Sequence, residues 1–143
     1  MKGKLTLQTS VTIYAPAEQV WKTITTPELI KQYLFGTTAV SDWKEGSSIS
    51  YQGMYNDTPY KDKGTIKEFK PNKFFSATYW SSMGGKEDKP ENYNLVSYLL
   101  KEEDEVTTLT LMQDNIATEE EKKHATTNWQ TVLKELKKVA ENL

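Results

Sequence analysis

Residues 118–143 read TEEEKKHATTNWQTVLKELKKVAENL, and what this stretch needs around it decides the fold. Ala125, Trp129, Val132, Leu133, Leu136, Val139, Ala140 and Leu143 recur at three- and four-residue steps, which lines them up as one apolar stripe of an α-helix. Lys122, Lys123, Lys134, Lys137 and Lys138 fill the opposite face. Thr118 with Glu121 three residues later forms a capping box and marks the start of the helix. A long helix with a single apolar stripe must lay it on another element, and the segment before it supplies a sheet.

That preceding segment is strand-like over most of its length. Strands are expected near 37–43, 48–53, 63–69, 74–81, 93–102 and 105–113, a spacing typical of antiparallel sheets. Glu45-Gly46, Lys70-Pro71-Asn72 and Gly84-Gly85 punctuate them. Glu102-Glu103-Asp104-Glu105 reads as a charged hairpin turn; it has the acidity of a cation site but no glycine to bend an EF-hand loop. The polar stretch 82–92 is expected to be an exposed, mobile loop. Asn56-Asp57-Thr58 spells a glycosylation sequon, to which Pro59 and the lack of an export signal deny weight.

At the N-terminus Leu5, Leu7, Val11 and Ile13 fall on alternate positions and predict a half-buried strand. The period changes at Ala15-Pro16-Ala17-Glu18, where Pro16 suits a first helical position and Val20, Trp21 and Ile24 share a face. Thr26-Pro27-Glu28 repeats the start signal ahead of Leu29, Ile30, Tyr33 and Leu34. The predicted order is strand, two short helices, six strands, long helix. That is an α+β chain forming one domain over 1–143.

Composition narrows the chemistry. The chain has 143 residues, 36% hydrophobic and 27% charged, which is globular composition with enough length for a core. With 0 Cys there are no disulfides, thiolate nucleophiles or Cys-ligated metals, and the single His124 excludes a two-histidine metal site. No metal and no cofactor is expected. The 18 basic and 20 acidic residues nearly balance, and every basic residue is lysine, so neither the charge nor the side-chain fork suited to nucleic acid is present. Lys2, Lys4, Leu5 and Leu7 form no signal-peptide core, and no apolar run reaches the length of a membrane span. A cytoplasmic protein without membrane or nucleic-acid partners is the expectation. G-x-G-x-x-G, Walker, H-E-x-x-H and G-x-S-x-G motifs are all absent.

What stands out is aromatic: 4 Trp, 8 Tyr and 4 Phe, several beside small polar residues on predicted strands. A curved antiparallel sheet with such a face, closed by a long helix, tends to leave an apolar pocket with a few polar anchors.

Val11-Thr12-Ile13-Tyr14-Ala15-Pro16-Ala17-Glu18-Gln19-Val20-Trp21 resembles the opening of the activator-of-heat-shock-ATPase homologue family. Thr25-Thr26-Pro27-Glu28 with Tyr33, Trp43 with Glu45-Gly46, and Gly64-Thr65-Ile66-Lys67-Glu68-Phe69-Lys70-Pro71 continue the match. Asn128-Trp129-Gln130-Thr131-Val132-Leu133-Lys134-Glu135-Leu136 is similar to its Gly-Trp helix motif. The resemblance implies a helix-grip, START-like (SRPBCC) fold in which the C-terminal helix closes a sheet-lined cavity. It departs from the family at Asn128, where a glycine is usual, and at Tyr33, where a tryptophan is common.

On this reading the candidate cavity residues are Tyr33, Phe35, Tyr51, Trp80, Tyr98, His124, Asn128 and Trp129, with His124 and Asn128 near one mouth. For Trp129 a core anchor holding helix to sheet is favoured over a ligand-specific role, and its truncation is then expected to cost about 3–5 kcal/mol. Trp21 and Trp43 read as structural. Lone His124 has no recognisable partner for proton chemistry, so no catalytic residue is assigned. Binding of a small hydrophobic, aromatic or lipid-like ligand ranks first. Docking on a chaperone ATPase, which the family name suggests, ranks second, because the family's chaperone activators carry an additional domain. Acid/base catalysis ranks third.

Overall fold

The alternation in the N-terminal strand is realised residue for residue: β1 (Leu5–Ile13) turns Leu7 and Ile13 into the interior and leaves Gln8, Ser10 and Thr12 outside. The computed structural model describes residues 3–143, apart from the Tyr55 side chain, so Lys2, read above against a signal peptide, lies outside the described residues. Two short helices follow, α1 (Ala17–Thr25) and α2 (Pro27–Tyr33). Pro16 stands one place earlier than expected, at the N-cap of α1. The Glu102 carboxylate, read from sequence as part of a solvated turn, accepts the Ala17 N–H at 2.6 Å and ties the positive end of α1 to the sheet.

The remaining strands are β2 (Thr38–Ser41), β3 (Ser48–Tyr55), β4 (Thr58–Lys70), β5 (Phe74–Ser81), β6 (Asn94–Glu103) and β7 (Val106–Ile116), followed by α3 (Glu119–Glu141). They make one antiparallel sheet in the order β1-β7-β6-β5-β4-β3-β2. β4 begins at Thr58 rather than 63, because Asn56 (φ 48) and Asp57 (φ 64) make a two-residue hairpin turn that pairs Tyr55 with Thr58. Asp104 (φ 53) and Glu105 (φ 63) turn β6 into β7 the same way. At Gly64 the neighbouring strand comes so close that a Cβ would stand 1.6 Å from the Thr78 carbonyl oxygen, so no other residue fits there without moving β5.

Residues 82–91 are exposed, as expected, but they are tied down rather than loose. The Trp80 indole donates to the Lys86 and Glu87 carbonyls at 3.2 and 3.1 Å, and Asp88 joins Lys63 at 2.5 Å and the Tyr93 hydroxyl at 2.6 Å.

The core lies on one face of the sheet. Ile13, Val20, Ile24, Ile30, Leu109, Leu111 and Leu136 are sealed from solvent, and Trp21 packs edge-on to Phe69 and Phe75 at 5.1 and 6.3 Å. α3 rests on β1, α1 and α2, while its N-terminal half shares a cavity wall with Tyr51 on distant β3. The sheet therefore curves around the helix. This is the helix-grip arrangement of the START-like fold. No helix among the described residues is long and apolar enough to cross a membrane.

Candidate functional site

The apolar stripe of α3 changes character along its length. Leu133, Leu136 and Ala140 are buried, whereas Ala125, Trp129 and Val132 are half-buried, and His124 and Asn128 are exposed. Beneath this upper half, between α3, the end of α2 and strands β3 to β7, lies a cavity of about 740 Å³. That volume suits a drug-sized organic molecule rather than an ion or a few waters.

Each wall residue arrives there for a local reason. α2 ends at Tyr33; Phe35 (φ 52) and Gly36 (φ 92) then turn the chain back toward β2, leaving Tyr33 buried and Phe35 at the mouth. The inward face of β5 presents Phe75, Ala77, Tyr79 and Ser81, and Tyr98 lies opposite Phe75, its ring stacked on it at 5.5 Å. Trp129 stands edge-on to Tyr98 at 6.3 Å, and its indole N–H donates to Gln113 Oε1 at 2.7 Å. The Tyr79 hydroxyl donates to Asp62 Oδ2 at 2.6 Å. Tyr60 and Thr37 share a short hydroxyl–hydroxyl hydrogen bond, and Tyr60 fits because facing Gly53 has no side chain in its way.

Tyr33, Phe35, Tyr51, Tyr98, His124, Asn128 and Trp129, seven of the residues picked from sequence, come together around this cavity, with His124 and Asn128 at its opening. Trp80 is a correction. It projects from the other face of β5, stacks on Tyr93 at 6.5 Å and carries Lys63 Nζ 5.7 Å above its ring. Alternation along β5 forces this outcome once Phe75 faces the core, and Tyr79 takes the inward place. Asp62, Tyr60, Tyr79 and Gln113 were not picked. The signal for the first two was the Asn56-Asp57 turn, which extends β4 back through them. For Tyr79 and Gln113 no sequence signal fixed the phase.

The electrostatics are those of a hydroxylated wall around the Asp62 carboxylate. Burial pushes the phenols of Tyr33, Tyr51, Tyr79 and Tyr98 above their ordinary range. Neighbouring tyrosines add to the effect on Tyr33, neighbouring tyrosines and the Asp62 charge on Tyr51, and the Asp62 charge and hydrogen bond on Tyr79. These shifts move the hydroxyls away from neutral pH, the opposite of what tunes a group for proton transfer. The wall offers hydrogen-bond donors, aromatic faces and one carboxylate. Phe35, Met54 and Met83 form an exposed apolar rim.

The family described as Activator of Hsp90 ATPase homolog 1-like protein matches residues 14–141. Among solved structures, the chain is similar to ChR145 from Cytophaga hutchinsonii, 45% identical over 99% of this chain and 97% of that one, with a TM-score of 0.85. It shares its fold with the Aha1 dimer from Colwellia psychrerythraea, at 18% identity, TM-score 0.76 and 96% of both chains. It also shares it with CalU16 from Micromonospora echinospora, at 21% identity, TM-score 0.74, 94% of this chain and 75% of that one. No curated protein matches the chain.

Proposed function

Because the chain belongs to the Activator of Hsp90 ATPase homolog 1-like family, within the START-like superfamily, we propose that it binds a small, mostly apolar ligand in the cavity under α3. One observation carries this reading: a cavity of about 740 Å³ stays open among Tyr33, Tyr51, Tyr98 and Trp129, large aromatic side chains that elsewhere fill cores. Raised tyrosine pKa values and the lack of an assigned proton-transfer pair favour binding over catalysis. Screening a metabolite and lipid library by chemical-shift changes tests it. A true ligand moves resonances of Tyr33, Tyr98 and Trp129 together, and raises the melting temperature by mass action. A library in which no compound does so sinks the reading.

The exposed rim of Phe35, Met54 and Met83 favours a second reading, in which a protein partner such as a heat-shock ATPase covers it. Adding that ATPase would then shift rim resonances and leave the cavity wall unmoved.

A further inference from the structure

The cavity wall holds one carboxylate, and its surroundings discriminate among ligands. In the sheet register Asp62 of β4 lies opposite Tyr51 of β3 on one side and Ser81 of β5 on the other, so all three project from the cavity face. Asp62 Oδ2 is taken by the Tyr79 hydroxyl, but Oδ1 is buried and has no hydrogen-bond partner among the protein's side chains and backbone. An acceptor left unmatched in this way is costly, more so when it bears charge. Among the described residues no lysine lines the cavity and none forms a salt bridge with Asp62. The one basic side chain of the lining among the described residues, His124, is exposed at the mouth.

We propose that Asp62 is the recognition group of this cavity and that the ligand is an apolar, ring-sized amine whose protonated nitrogen docks on the Asp62 carboxylate, the side chain turning to bring Oδ1 into the cavity. The proposal rests on the cavity being a ligand site and adds the ligand's charge and polarity. An ammonium group supplies both what Oδ1 lacks, a donor, and what the wall lacks, a positive charge. The faces of Tyr33, Tyr51, Tyr98 and Trp129 receive the apolar body and favour a cation near them. The charge of Asp62 is felt along the wall, since it contributes to the raised pKa values of Tyr51 and Tyr79. A fatty acid or other carboxylate would instead meet a like charge with no lysine to offset it, so the site rejects anions as well as accepting cations.

Three probes on one scaffold test this: naphthylmethylamine, naphthalenemethanol and naphthoate, titrated while the Trp129 indole and the Tyr33 and Tyr98 ring resonances are followed. The amine is expected to bind about tenfold tighter than the alcohol, and naphthoate weakest, as a hydrogen bond to a charged partner implies. Asp62→Asn should bring the amine down to the level of the alcohol and leave the alcohol within about twofold. Tyr79→Phe, which frees Oδ2 without removing the charge, should keep the amine preference and serves as the second variant if Asp62→Asn does not fold. An alcohol that binds the native chain as tightly as the amine overturns the proposal, because a neutral donor or water then suffices at Oδ1. So does an amine preference that survives Asp62→Asn. Either result leaves the cavity reading standing, and three probes that move none of the wall resonances overturn the proposal while the library screen still decides the cavity reading.

Discussion

The two halves of α3 carry one continuous apolar stripe, yet one half ends in a solid core and the other over a hollow. Under the C-terminal half, Ile13, Val20, Ile24 and Ile30 from β1, α1 and α2 form one buried cluster with Leu133, Leu136 and Ala140. Under the N-terminal half the facing residues are Tyr33, Tyr51, Tyr98 and Ala77, three stiff rings and a small side chain, of which Tyr98 stacks on Phe75 and meets the helix only edge-on at Trp129. Periodicity says which way a helix faces; the shapes of the residues opposite decide whether the space is filled. The packed end then has to supply the stability that the open end forgoes.

The largest effect should therefore come from the packed end. Leu136 is 0% exposed, and Leu136→Ala is expected to cost about 3–4 kcal/mol in denaturant titration. A loss below about 1 kcal/mol would mean that the two ends are packed alike.

A comparable effect belongs to the hollow end alone and appears with alkali. Burial holds the phenols of Tyr33, Tyr51, Tyr79 and Tyr98 above the ordinary value of 10.0. Below that pH both folded and unfolded chains carry neutral phenols, and stability does not depend on them. Above it the unfolded chain releases protons that the fold retains, so stability falls as pH rises, by about 1.4 kcal/mol per pH unit for each phenol kept fully neutral. Tyr33, at 3% exposure, should show the full slope, and the half-buried Tyr51, Tyr79 and Tyr98 a part of it. One unit above the ordinary value the total loss should be about 3 kcal/mol, and Tyr33→Phe should flatten the curve. Stability unchanged across that range would show that the phenols are freely hydrated.

Trp129→Ala comes next. As a core anchor it would cost what its size suggests, but it is half-buried and already borders open space, so its removal enlarges a cavity rather than creating one. A loss of about 1–2 kcal/mol is expected, with part of it due to Gln113 Oε1 losing its donor. A loss of about 4 kcal/mol would restore the core-anchor reading and put the cavity in question.

The same contrast explains what could be read from sequence. β1 and β5 were expected over the residues they occupy, because alternation and turn residues both mark their ends. The order of one strand, two short helices, six strands and a long helix followed from periodicity and turn residues, and the helix-grip fold from the resemblance to the family. The cavity wall was harder for two separate reasons. In β5, FFSATYWS, either phase of the alternation turns one phenylalanine and one larger aromatic inward, so Tyr79 and Trp80 could not be told apart without the neighbouring strands. At Asn56-Asp57 the hairpin turn lacks the glycine that usually signals it, and so Tyr60 and Asp62 fell outside the expected strand. The most chemically specific residue of the site was hidden by a turn.

The smallest effect offers the sharpest test of whether the halves of α3 are distinct. Thr118 Oγ1 accepts the Glu121 N–H at 3.1 Å and caps the end of α3 that stands over the cavity. Thr118→Ala should cost about 1 kcal/mol. Those first turns have few buried contacts, so they are expected to open by themselves, with amides 122–129 exchanging faster than amides 133–140, which await global unfolding. The cap is broken in either event, so Thr118→Ala should speed exchange in both groups alike, by about fivefold. Leu136→Ala is the converse, since Leu136 stays packed while the first turns open. It should speed exchange at 133–140 and leave 122–129 unchanged. If it speeds both groups equally, α3 opens as one unit, and the division between a packed end and a hollow one has no energetic meaning.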